Sequence, residues 1–93
     1  MHTGPSAKHN HHRPVVRWLI ARLALHLDVP THAIDLTAPL AEMGVDSVRA
    51  LSLAGEIEDH WDIDVDPTLV FDYPTLTHIA EFIAGTTQRE LAA

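Results

Sequence analysis

Ninety-three residues with 46 % hydrophobic and 20 % charged side chains make one small globular domain, and the lack of cysteine excludes a disulfide or a thioester on the chain's own thiol. The net charge of −7 is unevenly spread: residues 1–27 carry Lys8, Arg13, Arg17 and Arg22 with no acid, and residues 28–93 carry thirteen acids against Arg49 and Arg89, a net −11. An acidic body repels nucleic-acid phosphate and anionic lipid, so the expected partners are proteins, with no nucleic acid and no membrane.

Residues 1–13 are polar, with Gly4 and Pro5 discouraging regular structure, and are expected to form a flexible N-terminal tail. His2, His9, His11 and His12 lie too close together, in too mobile a segment, for a fixed metal site, so no metal is expected. The tail has no apolar signal core, and nowhere do about 18 apolar residues run together, so a cytoplasmic setting is expected.

Pro14 suits the first position of a helix running to Leu27, with Val16, Leu19, Ile20, Leu23 and Leu27 as its apolar stripe. Residues 28–46 show no sustained period and contain Pro30, Pro39 and Gly44. They read as a long loop pinned by Ile34, Leu36, Leu40 and Met43.

At Met43-Gly44-Val45-Asp46-Ser47-Val48 that loop ends and a helix begins. Gly44 can take backbone angles closed to other residues. The Asp46-Ser47 pair falls where a helix start leaves amide donors free, a place that would stabilise a phosphodiester on the serine oxygen. On local sequence alone, the commoner role for either residue is a simple N-cap. The reciprocal capping-box acid is absent, since Arg49 and Ala50 stand three residues on, and local sequence leaves both readings open.

The second helix is expected over Ser47–Trp61, with Ala50, Leu53, Ala54, Ile57 and Trp61 at core spacing and Leu51 flanking. Arg49, Ser52, Glu56 and Asp59 recur on another face, open to solvent or a partner, and Gly55 costs this helix about 1 kcal/mol relative to alanine. Asp62–Asp66 alternates acids with Ile63 and Val65, as a short strand would, but no second strand is evident to pair with it. Asp66-Pro67 opens a single helical turn carrying Leu69, Val70 and Phe71, which Tyr73-Pro74 ends. Thr75 can cap the last helix, with Leu76, Ile79, Ala80 and Ile83 as its stripe, Gly85 as its stop and residues 86–93 as a C-terminal tail. The fold class is therefore all-α: a small four-helix bundle of three longer amphipathic helices and one short helix, with a long loop between the first and second.

These residues resemble the acyl carrier proteins and the carrier domains of fatty acid and polyketide synthases. The likeness covers roughly residues 16–83 and rests on Pro39-Leu40 leading into Gly44-Val45-Asp46-Ser47-Val48, then Val70-Phe71-Asp72-Tyr73-Pro74-Thr75-Leu76 at the expected distance downstream. The Phe-Asp-Tyr-Pro-Thr run is similar to polyketide synthase carriers, with residues 14–85 as the carrier domain.

The resemblance implies a non-catalytic shuttle. A phosphopantetheinyl transferase would move 4'-phosphopantetheine from coenzyme A onto Ser47, and the arm's thiol would carry acyl groups as thioesters. Asp46 matches the acid that helps orient the transferase reaction and its metal, and Val48 the apolar residue that partners touch beside the arm. Fatty-acid carriers commonly have acids two and five positions after the serine; here Arg49 and Ser52 stand there, while Glu58 and Asp59 match the family's acids. The partner-binding set is thus Asp46, Val48, Arg49, Ser52, Glu56, Glu58 and Asp59. The implied partners are the transferase, an acyltransferase or adenylate-forming loading enzyme, and a ketosynthase or other acyl acceptor. A discrete monomeric protein of a polyketide or related specialised-metabolite pathway is expected.

The alternative is a helical interaction adaptor with an acidic docking face, no prosthetic group and Ser47 as a mere cap. A serine hydrolase ranks lowest, because Gly44 stands three residues before Ser47 and position 49 is not glycine.

Overall fold

Helix α1 spans Gly4–Leu27, α2 Ser47–Trp61, α3 Leu69–Asp72 and α4 Leu76–Ala92 in the computed structural model, which describes the backbone of residues 4–92 and the side chains of residues 12–87. The side chains of His2, His9 and His11 lie outside that range. Three longer helices and one short one form the expected bundle, and no strand occurs among the described residues.

Three helix ends differ from the sequence expectation; the short one, α3, starts at Leu69 with Thr68 as its N-cap, because Asp66 and Pro67 form a turn before it in which the Asp66 side chain accepts the Thr68 N–H. Helix α1 begins at Gly4 and carries Pro14 inside it, so the helix does not start at Pro14, and residues 4–13 take regular structure. Ala7, Lys8 and Arg13 are good helix formers, and Pro5 falls in the first turn, where its missing N–H is no loss. Pro14 removes one i→i−4 bond without ending the helix. At the other end, α4 passes through Gly85 to Ala92, because Gly85 does not take the left-handed conformation of a helix stop.

The core is a single cluster of aliphatic side chains. Helix α1 contributes Val15, Leu19, Leu23 and Ala24, one position round from the expected stripe, so that Val16, Ile20 and Leu27 flank the core. Helix α2 buries Ala50, Leu53, Ala54 and Ile57, α3 buries Leu69 and Val70, and α4 buries Leu76, Ile79, Ala80 and Ile83. Each fully buried leucine or isoleucine stabilises the fold by about 1.5–3 kcal/mol.

The alternation at Asp62–Asp66 is real but serves a connector. Ile63 and Val65 point into the core and the acids point out, while Asp62, at φ 55°, turns the chain in the left-handed region.

Helix α1 packs chiefly along α4. The long loop crosses the bundle as two 3-10 turns, Thr31–Ala33 and Leu40–Met43. Leu40 is completely buried, and Ile34, Leu36 and Met43 lie against the core, so the four expected pins all engage. The loop is also bonded to the start of α4: Leu40 N–H donates to the Pro74 carbonyl at 2.8 Å, and both the amide and hydroxyl of Thr77 donate to the Leu36 carbonyl, at 3.1 and 3.0 Å.

Candidate functional site

Gly44 closes the loop and delivers the chain to α2. It sits at φ 108°, and its N–H bonds the carbonyls of Leu40 and Ala41, a conformation that a side chain strains. Val45 then buries its side chain, its N–H donating to the Leu40 carbonyl at 3.1 Å, so that Asp46 and Ser47 emerge at the surface.

Asp46, in extended backbone, is the N-cap: its Oδ1 accepts the Arg49 N–H at 2.9 Å, and its carbonyl accepts the Ala50 N–H at 2.8 Å. The cap is thus the aspartate, and Ser47 is the first residue of α2, exposed. The first two amides of the helix, those of Ser47 and Val48, have no intrahelical acceptor and lie at the positive end of the helix dipole. An oxyanion attached to the Ser47 oxygen fits that environment.

Beside Ser47 a recess of about 350 Å³ opens between the loop, α2 and α3, walled by Pro39, Val45, Ala50, Val70, Phe71 and Pro74. Its lining is mostly apolar. Phe71 is 67 % exposed and Val48 71 %, so the serine stands among unburied apolar side chains. Leu51, expected to flank the core, is 56 % exposed and extends this apolar surface.

The expected partner-binding residues separate into two groups. Asp46, Val48, Arg49, Ser52 and Asp59 are exposed. Glu56 is instead engaged within the fold, accepting from Arg22 Nε at 3.1 Å and meeting His26 Nε2 at 3.1 Å, which clamps α2 to α1. Partial burial pushes the Glu56 carboxyl up, but the hydrogen bonds and charges of Arg22 and His26 outweigh it and hold the group below its ordinary value. Glu58 accepts the Val65 N–H at 3.2 Å and secures the connector after α2.

Near α3, Asp66 accepts the amide and hydroxyl of Thr68 at 2.9 and 2.7 Å, and these bonds lower its pKa. Thr75 caps α4 through the His78 N–H at 3.2 Å.

Phe71, Val70 and Pro39 belong to the site's surroundings, and sequence periodicity does not reveal them. In sequence they read as core or turn residues, and it is the tertiary packing, with the Leu40–Pro74 and Thr77–Leu36 bonds, that brings the loop and the α3–α4 junction together beside Ser47. No group of three or more metal-ligating side chains occurs among the described residues, and no helix among them is long and apolar enough to cross a membrane.

Comparison with known proteins covers most of the chain. The family profile described as "Phosphopantetheine attachment site" matches residues 17–83. The chain is 38 % identical over 56 residues to 6-methylsalicylic acid synthase from Penicillium terrestre, covering 60 % of this chain and 3 % of that protein. It is 32 % identical over 62 residues to a phenolphthiocerol/phthiocerol polyketide synthase from Mycobacterium tuberculosis, covering 67 % of this chain and 3 % of that protein. The chain thus spans only a few hundredths of the length of these relatives. Among solved structures, a free-standing peptidyl carrier protein from an uncharacterized Acinetobacter baumannii secondary metabolic pathway superposes with a TM-score of 0.77 at 29 % identity, covering 81 % of this chain and 94 % of that one.

Proposed function

This chain belongs to the phosphopantetheine-attachment family of acyl and peptidyl carriers, and from that premise we propose that the Ser47 hydroxyl is the point to which 4'-phosphopantetheine is joined. The observation that carries the proposal is the placement of Ser47: exposed, first in α2, capped by its neighbour Asp46 and bordered by an apolar recess.

A phosphopantetheinyl transferase catalyses the attachment. The Ser47 oxygen forms a bond to the phosphorus of the phosphopantetheine portion of coenzyme A, the bond from that phosphorus to adenosine 3',5'-bisphosphate breaks, and the serine proton passes to the transferase. The chain supplies no base of its own; it presents the oxygen. The amides of Ser47 and Val48 then favour the phosphodiester, and the Phe71 and Val45 side of the recess keeps an apolar wall beside it. When bound, the arm provides the thiol that this cysteine-free chain lacks, and acyl groups ride on it as thioesters.

The docking face in this reading is Asp46, Val48, Arg49, Ser52 and Asp59, joined by Leu51 and Phe71, with Glu56 and Glu58 supporting it through their bonds inside the fold. Residues 14–85 are the carrier unit. An acyltransferase or adenylate-forming enzyme loads the arm and a ketosynthase or similar acceptor unloads it, in the cytoplasm and within polyketide or related specialised-metabolite synthesis. The polyketide synthases among the relatives support that assignment.

The test is incubation of the arm-free protein with coenzyme A and a broad-specificity phosphopantetheinyl transferase, followed by intact-mass measurement. The expected result is one added arm, mapped to Ser47 and absent from Ser47→Ala. An unmodified wild-type chain refutes the reading.

A further inference from the structure

Arg49 occupies an unusual position in the network around Ser47. Its own amide caps onto Asp46 Oδ1 at 2.9 Å, its Nη1 reaches Asp46 Oδ2 at 3.2 Å, and its Nε donates to the carbonyl of His26 at 3.1 Å. One residue therefore engages both oxygens of the carboxylate that precedes the serine and also holds the last turn of α1.

The electrostatics favour this arrangement at each end. The carbonyls of Ala24 and Leu25 are taken by Val29 and Asp28 N–H, so Arg49 is the partner of a further carbonyl at the negative end of α1. Asp46 lies at the positive end of α2, where a carboxylate is stabilised. The planar guanidinium presents several donors in a fixed fork and can bridge the two; a lysine ammonium on a flexible stem lacks that fork. Backbone approach between α1 and α2 is sparse, so among the described residues this bridge and the Arg22/His26–Glu56 cluster link α2 to α1 through polar groups.

We propose that Arg49 is a positioning residue for arm attachment, bridging Asp46 and the end of α1 so that Ser47 is held in one presentation to the transferase. The proposal rests on the carrier reading and deepens it: Arg49, besides lying on the docking face, acts through Asp46 and α1, and the Asp46→Asn background separates that role from direct contact with the transferase. Loss of the bridge lets the first turn of α2 sample other orientations, and the competent fraction falls. A smaller competent fraction raises the concentration of carrier needed without altering the bound complex. The effect therefore lies in KM and not in kcat.

The experiment measures arm transfer from coenzyme A to the wild-type chain, Arg49→Ala, Arg49→Lys, Asp46→Asn and Asp46→Asn/Arg49→Ala, with circular dichroism melts to establish that each is folded. Asparagine keeps the N-cap and removes the charge. Arg49→Ala should raise the carrier's KM roughly two- to five-fold, the span expected of a half-exposed ion pair, with kcat unchanged. Arg49→Lys should resemble Arg49→Ala. In the Asp46→Asn background the same Arg49→Ala change should cost less than half as much.

Full rescue by lysine, a loss confined to kcat, equal effects in both backgrounds, or no effect of Arg49→Ala overturns the inference while leaving the carrier reading intact. If the wild-type chain takes no arm, it is the carrier reading that fails.

Discussion

The amide of Leu40 donates to the carbonyl of Pro74 across 2.8 Å, joining the loop that precedes the serine to the junction that precedes α4. Thirty-four positions apart in the chain, the two residues hold Pro39 and Pro74 together at the recess, and the loop's position depends on the burial of Leu40 as well as on that bond.

Leu40→Ala should therefore be the most damaging single change in the loop. Its side chain is wholly buried, and truncation leaves a cavity costing about 2–5 kcal/mol. Urea unfolding of the variant against wild type measures it, and a loss under about 1 kcal/mol would mean that the loop collapses to fill the space.

Ser47→Ala and Asp46→Ala should separate chemistry from stability. Because Asp46 is the cap, Asp46→Ala should destabilise by about 1 kcal/mol, whereas Ser47→Ala, at an exposed first helical position, should stay within about 0.5 kcal/mol while abolishing arm attachment. Thermal melts paired with mass measurement of the arm check both.

The glycines should respond in opposite directions. Gly44→Ala puts a side chain at φ 108° and should cost about 1–2 kcal/mol. A β-carbon on Gly55 meets nothing within 4 Å, and Gly55→Ala should stabilise α2 by roughly 0.5–1 kcal/mol. If a docked partner approaches the backbone there, Gly55→Ala will also slow arm transfer despite the added stability.

Acid should weaken the clamp between α1 and α2. The Glu56 carboxyl is held below the ordinary value of 4.5, so its contribution is complete above that value and is lost as pH falls toward its lower native one. Glu56→Gln should lower stability at neutral pH, and the difference from wild type should shrink below pH 4.5. Chemical denaturation at several pH values reads this directly; a constant difference would show that the carboxylate charge plays no part.

Self-repulsion should make the fold salt-sensitive. With a net −11 over residues 28–93, moderate salt or a divalent cation should raise the melting temperature, by screening acids that folding brings together. An unchanged or lower value would mean that the Arg22–Glu56 and Arg49–Asp46 pairs lose as much to screening as the acids gain.

Much of this was legible in one dimension because it is local. The apolar repeats of α2 and α4, the break at Tyr73-Pro74 and the Asp46-Ser47 helix start each depend on residues within a turn or two, and all appear where expected. Helix ends were less legible: Pro14 and Gly85 are breakers by propensity, yet each residue is carried through by helical neighbours on both sides. The row Arg49, Ser52, Glu56 and Asp59 reads as one open face, but Arg22 and His26 occupy the Glu56 carboxylate.

The sequence by itself determined that a helix begins at the Asp46-Ser47 pair behind a turn that glycine adopts easily, since such signals lie in adjacent residues; that Asp46 is the cap and Ser47 the first helical residue came from the structure. The tertiary structure alone decided what surrounds that serine. The recess beside it, the exposure of Phe71 and Leu51, and the bridge from Arg49 to His26 are meetings of segments far apart in the chain, and periodicity carries no information about which distant faces pack together.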